Sequence, residues 1–360
     1  MKRKCKEIII TINVGSSNIK FSVFNSENLQ CLFKEQKLGA PQVLRRFEEL
    51  SKHYKILNVA HRIVHGGRKF LAPAVLSSGV ISELTKLIPL VPLHQPRALA
   101  IVSKIRSTYP KIKQIGCFDT VFHKTMPHIA TMTTLPAKYY EKGVRRYGFH
   151  GLSYEYIASV IPQHIAKKSQ KRIVVAHLGS GSSMCALKDL KSVATTMGFS
   201  PLDGLMMATR TGSVDPGILL YLTKTLKISP TKLEDILYHD SGLKGVSQID
   251  SDMSKLIASK DYEAQQAIEL YCYIAAKNLG SLITILGGID ALIFSGGIGE
   301  NCPLIRTLIS GYIDWLGLKI NKNKNESNSL LISEKSSKIQ VLVIPTNEEL
   351  ILAKAGQTIG

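Results

Sequence analysis

The chain has little that would take it out of water or bind a soft metal. Its 360 residues include no apolar run long enough to cross a bilayer as a helix. Lys-Arg-Lys-Cys-Lys at the N-terminus has the charge of a signal n-region, but the apolar run after it, Ile8 to Ile12, is too short for a secretory core. The sequence therefore reads as cytoplasmic, with no membrane partner. Six cysteines show no CxxC or other metal spacing, which argues against zinc and iron–sulfur sites and for reduced, buried thiols. Acidic residues are scarce, 27 against 46 Lys and Arg, for a formal charge of +19. Aromatics are scarce too, at 7%, and the basic residues are scattered, so the charge reads as a surface that attracts anionic metabolites, with no nucleic-acid partner. The one dense basic patch, Lys319 to Asn325, reads as an exposed loop.

What is present is a repeated pattern. Ile173 to Leu187 runs from a β-branched stretch through His-Leu-Gly-Ser-Gly-Ser-Ser into a second apolar stretch. That is a hairpin whose tip offers N–H groups and hydroxyls to phosphate oxygens. Ile8 to Phe24 repeats the pattern around Gly15-Ser-Ser, and Ala291 to Asn301 is a buried strand ending in a Gly-rich turn. Similar hairpins half a chain apart predict a duplicated α/β domain that clamps a nucleotide. The length suits two cores.

Individual residues carry weaker signals, each with a plain structural alternative. Lys20 suits a phosphoryl group or an exposed hairpin position. Arg62, on an apolar strand before Gly66-Gly67, suits a carboxylate or phosphate, or a salt bridge. Asp119 follows the β-like run Lys113 to Phe118, where α/β sheets place reactive carboxylates, or it caps the next helix. His94, between Pro92 and Pro96, reads as a cap or core residue as readily as a catalytic one, and His123 and His150 suit phosphoryl oxygens. Arg210 stands among turn residues, and Met206 and Met207 read as core. Ile339 to Leu350 reads as a strand meeting a helix, with Thr346 and Asn347 as caps and Glu348 and Glu349 suited to its dipole or to a metal. Residues 26–57 read as polar and weakly helical. Residues 217–280 read as several helices interrupted at Ser241 to Gly245.

Together, NVGSSNIK, HRIVHGG, PLHQP, FDTVFH, YGFHG, HLGSGSS, MGFSPLDGLMMATRTG, SGLKG, QIDSDMS, FSGGIGEN and IPTNEEL resemble the acetate kinase family, collinearly and nearly end to end. The resemblance implies an α/β fold of two duplicated actin-like, ribonuclease H-like domains, mixed sheets flanked by helices about an inter-domain cleft. Residues 1–119 with 345–360 would form the N-terminal domain and 120–344 the nucleotide-binding one. It implies reversible phosphoryl transfer between ATP and a short carboxylate, acetate or propionate, with ADP and acetyl phosphate on the other side. Asn13 and Glu348 would hold magnesium, or manganese in its place. Ser16 and Lys20 would meet phosphate, and His177, Leu178, Gly179, Ser180 and Gly181 would hold the nucleotide. Asp252, Met253, Ser254 and the turn Gly297, Ile298, Gly299, Glu300 and Asn301 would hold the nucleotide, with Ile305 and Arg306 beside the adenine. Arg62 would take the carboxylate, and Val64, Leu93, Phe149 and Pro201 would enclose its methyl group. Asp119, His150 and Arg210 would be catalytic, with His94 and His177 near. A homodimer follows from the resemblance alone. Asn18, Gln95, Tyr154, Ser180, Ser213 and Ser254 depart from the family pattern. A propionate kinase, a pyrophosphate-linked relative and a weakly catalytic nucleotide-binding homologue stay open as alternatives.

Overall fold

The computed structural model describes residues 6–15 and 19–359, so Ser16 and Asn18 lie outside the described residues. The chain divides into two compact units: Met1–Lys124 with Phe149–Tyr156 and Asn347–Gly360, and Thr125–Gly148 with Ile157–Thr346.

Unit 1 is built on a six-stranded sheet of β1 (Glu7–Val14), β2 (Ile19–Asn25), β3 (Cys31–Leu38), β4 (Lys55–Ile63), β5 (Ala74–Val75) and β6 (Lys113–Phe118), in the order β3-β2-β1-β4-β6-β5. The β1–β2 and β2–β3 pairs are antiparallel, whereas β1, β4 and β6 run parallel. β1 is apolar along almost its whole length because both faces of the sheet are covered. Ile8, Ile10 and Ile12 pack with Phe47 of the helix Ala40–Ser51 and Val102 of the helix Gln95–Thr108. A second cluster joins Ala60 and Cys117 to Leu152 of the helix Gly151–Val160 and Ile351 and Leu352 of the helix Glu348–Ile359.

Unit 2 carries β7 (Arg172–Leu178), β8 (Ser182–Lys188), β9 (Lys191–Thr195), β10 (Ala291–Ser295) and β11 (Gln340–Val343), in the order β11-β10-β7-β8-β9. Its pairings repeat those of unit 1: two antiparallel hairpin pairs beside two parallel pairs. The two hairpins expected from the Gly-Ser turns are therefore β1–β2 and β7–β8. The 25-residue helix Tyr262–Leu286 packs its Ala264, Tyr271, Ala275 and Leu279 into the core of this unit.

Several elements differ from the sequence reading. β3 lies in the stretch read as weakly helical; as an edge strand it exposes most of its side chains, so no alternation marks it. Ser241 to Gly245 does not interrupt helical structure, because Gly242–Ser247 is itself a short helix. The Gly-rich turn after β10 is the helix Gly296–Asn301. Lys322–Glu326, within the supposed basic loop, is helical and capped by Asn321, whose Oδ1 accepts from Lys324 N at 3.0 Å. The boundary drawn at residue 120 leaves out Phe149–Tyr156. This segment belongs with unit 1, where Gly151 N donates to Asp119 O at 2.9 Å and Leu152 enters the core. Of the described cysteines, Cys117, Cys185 and Cys272 are buried free thiols and Cys31 is exposed.

His61, on β4, is fully enclosed, with Nε2 2.8 Å from Gln114 Oε1. Burial draws its imidazole down from 6.5 to about 4. Below pH 6.5 the unfolded chain takes up a proton here that the folded chain refuses until about pH 4. Stability thus falls as the pH drops through that window, by on the order of 3 kcal/mol for this group. Denaturant titrations at pH 7 and pH 4.5 should show a smaller pH-dependent loss in His61→Gln than in wild type; equal losses would exclude this account.

Candidate active site

Because β1, β4 and β6 are adjacent and parallel, their C-terminal ends meet at one edge of the unit 1 sheet, where open α/β sheets place ligands. Asn13 stands near the end of β1, Arg62 near the end of β4, and Asp119 directly after β6. Asn347 Oδ1 accepts from Leu350 N at 3.1 Å and starts the last helix, placing Glu348 and Glu349 in its first turn.

These side chains form one network. Asp119 grips the guanidinium of Arg62 along one edge, with Nε donating to Oδ1 at 2.9 Å and Nη2 to Oδ2 at 2.6 Å. Arg62 Nη1 donates to Asn13 Oδ1 at 3.2 Å and lies 3.6 Å from Glu348 Oε2. Asn13 Nδ2 in turn donates to Glu348 Oε2 at 2.7 Å and Glu349 Oε1 at 3.0 Å. Lys20 and Lys34 approach Glu349 at 3.7 and 3.9 Å. Asp119, Glu348 and Glu349 are all buried, and Arg62 is mostly so. Burial works against the Arg62 charge, but Asp119 and Glu348 more than offset it and hold the guanidinium protonated. Burial and Glu348 likewise push the Asp119 carboxyl upward, against the pull of Arg62. The three carboxylates are answered by the Arg62 guanidinium and, at Glu349, by Lys20 and Lys34. Among the described residues no group of three or more His, Cys, Asp or Glu is placed to hold a metal ion.

His150 follows at the start of the helix Gly151–Val160, buried and in the left-handed region at φ +56°. Such backbone strain in a residue other than glycine clusters at functional sites. Its N–H supports the Asp119 carboxylate. Of the expected methyl pocket, Val64 and Phe149 are buried in unit 1, where His65 meets the Phe149 ring edge-on at 5.4 Å and Leu93 is half-buried. Pro201 lies in unit 2, where its carbonyl accepts from Arg210 Nη1 at 2.6 Å. Arg210 is buried there.

Apart from Ser16 and Lys20, the residues expected to hold the nucleotide fall in unit 2. Gly179, Ser180, Asp252, Met253, Ser254, Gly297, Ile298 and Asn301 line one cavity of about 440 Å3, which Ala208, Ser251 and Cys302 complete. Those last three were not singled out from the sequence, although Ala208 and Ser251 lie inside the motifs MGFSPLDGLMMATRTG and QIDSDMS and Cys302 directly follows FSGGIGEN. Ser254 donates to Asp252 through both Oγ (2.6 Å) and N (2.9 Å), holding that carboxylate below its usual range. Gly296 sits at φ +76°, where a Cβ would meet Leu178 O at 2.7 Å, so only glycine admits this approach of β7 to the turn.

Leu178 and Gly299 are buried and do not line the cavity. Glu300 Oε1 accepts from Gly296 N and Thr346 N, so it braces the turn. Ile305 and Arg306, expected beside the adenine, are fully enclosed. Arg306 donates to the carbonyls of Gly299, Glu300 and Asn325 and to Oδ1 of Asn325 and Asn328, all neutral acceptors. Burial draws its pKa down to about 10. It therefore holds the Gly-rich turn from behind.

Three of the departures from the family pattern, Gln95, Tyr154 and Ser213, are absorbed locally. Gln95 accepts from His65 N and donates to the carbonyls of His65 and Leu84. Tyr154 is enclosed against His123, with rings 5.6 Å apart. Ser213 donates to Asp203 at 2.6 Å, where a carboxylate would face another.

A Cβ on Gly151 would collide with the Asp119 carbonyl, whereas one on Gly297 meets nothing within 4 Å. Gly151→Ala should lose about 1–3 kcal/mol in urea denaturation, and Gly297→Ala should keep wild-type stability. Equal effects in the two would refute this packing account.

The acetokinase family model matches residues 39–354. The acetate kinase of Rickettsia prowazekii (strain Madrid E) is 43% identical over 378 aligned positions, covering 97% of this chain and 98% of the relative. Among solved structures, a propionate kinase from Francisella tularensis subsp. tularensis SCHU S4 aligns with a TM-score of 0.88 at 34% identity, over 97% of this chain and 98% of that one. The Porphyromonas gingivalis acetate kinase aligns with a TM-score of 0.86 at 31% identity, over 98% and 99%. With the paired sheets and the retained motifs, these matches establish that the chain belongs to the acetokinase family.

Proposed function

We propose that the protein is an acetate kinase, transferring the γ-phosphoryl group of ATP to acetate by reversible in-line displacement. The observation that carries this reading is the Asn13–Arg62–Asp119–Glu348 network on a chain of this family. An acetate oxygen forms the new bond to the γ-phosphorus as the bond to the β–γ bridging oxygen breaks, its electron pair leaving with ADP. Such a transfer depends on position and charge more than on covalent help from the protein.

Arg62 holds the acceptor. Asp119 occupies the Nε–Nη2 edge of the guanidinium, which fixes its plane and leaves terminal N–H groups for a second carboxylate. Val64, Leu93 and Phe149 of unit 1 receive the methyl group. His150 and Arg210 stabilise charge on the phosphoryl group, and Asp119 orients or accepts. The 440 Å3 cavity of unit 2 takes the nucleotide, and Lys20 is assigned to a phosphate contact. We assign unit 1 to the acceptor and unit 2 to ATP.

Magnesium, or manganese, fits Asn13 and Glu348: the Asn13 Oδ1 and the buried Glu348 carboxylate are hard oxygen donors, and magnesium takes one or two carboxylates while keeping waters. Bound there, it would neutralise charge on phosphate oxygens. Propionate is the second reading. The Francisella tularensis propionate kinase shares the fold, and one methylene is weakly discriminated by an apolar pocket. Free thiols at the described cysteines suit a cytoplasmic enzyme. Exposed Ile218, Leu220 and Tyr221 support a homodimer.

Hydroxamate trapping with Mg-ATP should give acyl hydroxamate from acetate and propionate, less from butyrate, and none with pyrophosphate as donor. Arg62→Ala and Arg210→Ala should each lower kcat/KM by roughly 10²–10³-fold with unchanged circular dichroism. Turnover with pyrophosphate alone would move the donor, and folded protein silent with every pair would mean that the motifs serve binding only.

A further inference from the structure

Unit 1 holds a second concavity, of about 320 Å3, whose lining includes neither Asn13, Arg62, Asp119 nor Glu348. Its floor is apolar and comes from three elements: Cys117 of β6, Leu152 of the helix Gly151–Val160, and Ile351 of the helix Glu348–Ile359. The side chains at its rim are charged. Lys124 and Lys354 carry two ammonium groups, and Glu155 carries one carboxylate that both lysines act upon. Lys124 Nζ donates to Leu71 O at 3.1 Å, which fixes its position without neutralising it. The balance at the rim is thus one positive charge above an apolar floor.

That combination selects an occupant. A polyphosphate would leave the floor unfilled and its own charge unmatched, while a neutral hydrocarbon would leave the ammonium groups unanswered. A single carboxylate on an aliphatic tail satisfies both. We propose that this concavity is a second binding site, for an aliphatic monocarboxylate longer than the acceptor, and that its occupancy is transmitted to the Arg62 cluster through the elements that wall it.

The transmission follows from connectivity. Asp119 stands two residues beyond Cys117, His150 immediately precedes the helix that carries Leu152, and Glu348 opens the helix that carries Ile351. Cys117, Leu152, Ile351 and Leu352 belong to one packed cluster. A close-packed interior passes displacement on rather than absorbing it. Wedging these elements apart therefore moves three groups of the network together. The Asp119 grip on Arg62, bidentate and directional, is the contact most sensitive to such movement.

Octanoate is a suitable probe, followed by isothermal calorimetry on the full chain. Wild type should bind it saturably at one site. Lys354→Glu, which reverses a rim charge, should weaken binding about fivefold or more, and Thr358→Trp, at the mouth, should abolish it. Both positions are exposed, so the fold is spared. Arg62→Ala should bind octanoate as wild type does. No saturable binding, or binding that survives both rim variants and fails in Arg62→Ala, would overturn the site by placing the probe at the acceptor position. The second arm rests on the acetate kinase reading. Octanoate should change kcat, or the acetate KM non-competitively, by about fivefold or more, and this effect should vanish in Thr358→Trp. Calorimetric binding with unaltered kinetics would overturn the transmission alone, while the binding arm needs no turnover and stands apart from the assigned reaction.

Discussion

The contact on which the unit 1 site depends is a guanidinium gripped along one edge by a buried carboxylate. Arg62 has enough donors to satisfy Asp119, Asn13 and a further anion, and its planarity makes the grip directional. A lysine could not do this, because one ammonium presents no edge to hold. The surrounding carboxylates set the electrostatic terms. They keep the arginine charged in a place where burial works against it.

Both units solve one problem in the same way. A central strand buried on both faces is flanked on one side by hairpins and on the other by parallel strands, so chemically useful ends gather at one edge of each sheet. Unit 1 uses that edge for charged side chains. In unit 2 the corresponding region is rich in glycine, and the main chain does much of the work. Arg306 lies behind the Gly-rich turn and holds its carbonyls, Glu300 within the turn accepts from the Gly296 N–H, and Asn325 in turn holds Arg306. A buried arginine without a carboxylate partner is costly unless each of its donors is used, and here neutral oxygens take up the task.

Much of this was legible in the sequence wherever a pattern has a single physical meaning. The hairpins could be read because β-branched runs interrupted by Gly and Ser have few other conformations, and Asp119 because a lone carboxylate after an apolar run marks a strand end. β3 was not legible: an edge strand with solvent on both faces has no periodicity to reveal it. The enclosure of Ile305 and Arg306 could not be read either, since their motif does not report which way the helix Pro303–Gly311 turns its face. Phe149–Tyr156 escaped for a related reason. Its place in unit 1 is fixed by a backbone bond to Asp119 and by Leu152 in the core, contacts between parts of the chain that lie far apart in sequence.

The route of the chain sets the order in which the molecule can be made. Unit 1 takes its first strands from the N-terminus and one face of its sheet from Glu348–Ile359, at the other end. During synthesis β1 and β4 emerge early, yet Ile9 and Asn58 lack the helix that carries Gly356 until Glu348–Ile359 leaves the ribosome. Unit 2 is complete before that moment. Unit 2 can therefore form before unit 1 is covered, and the Arg62 network closes only when Glu348 reaches Asn13 across 335 residues of sequence.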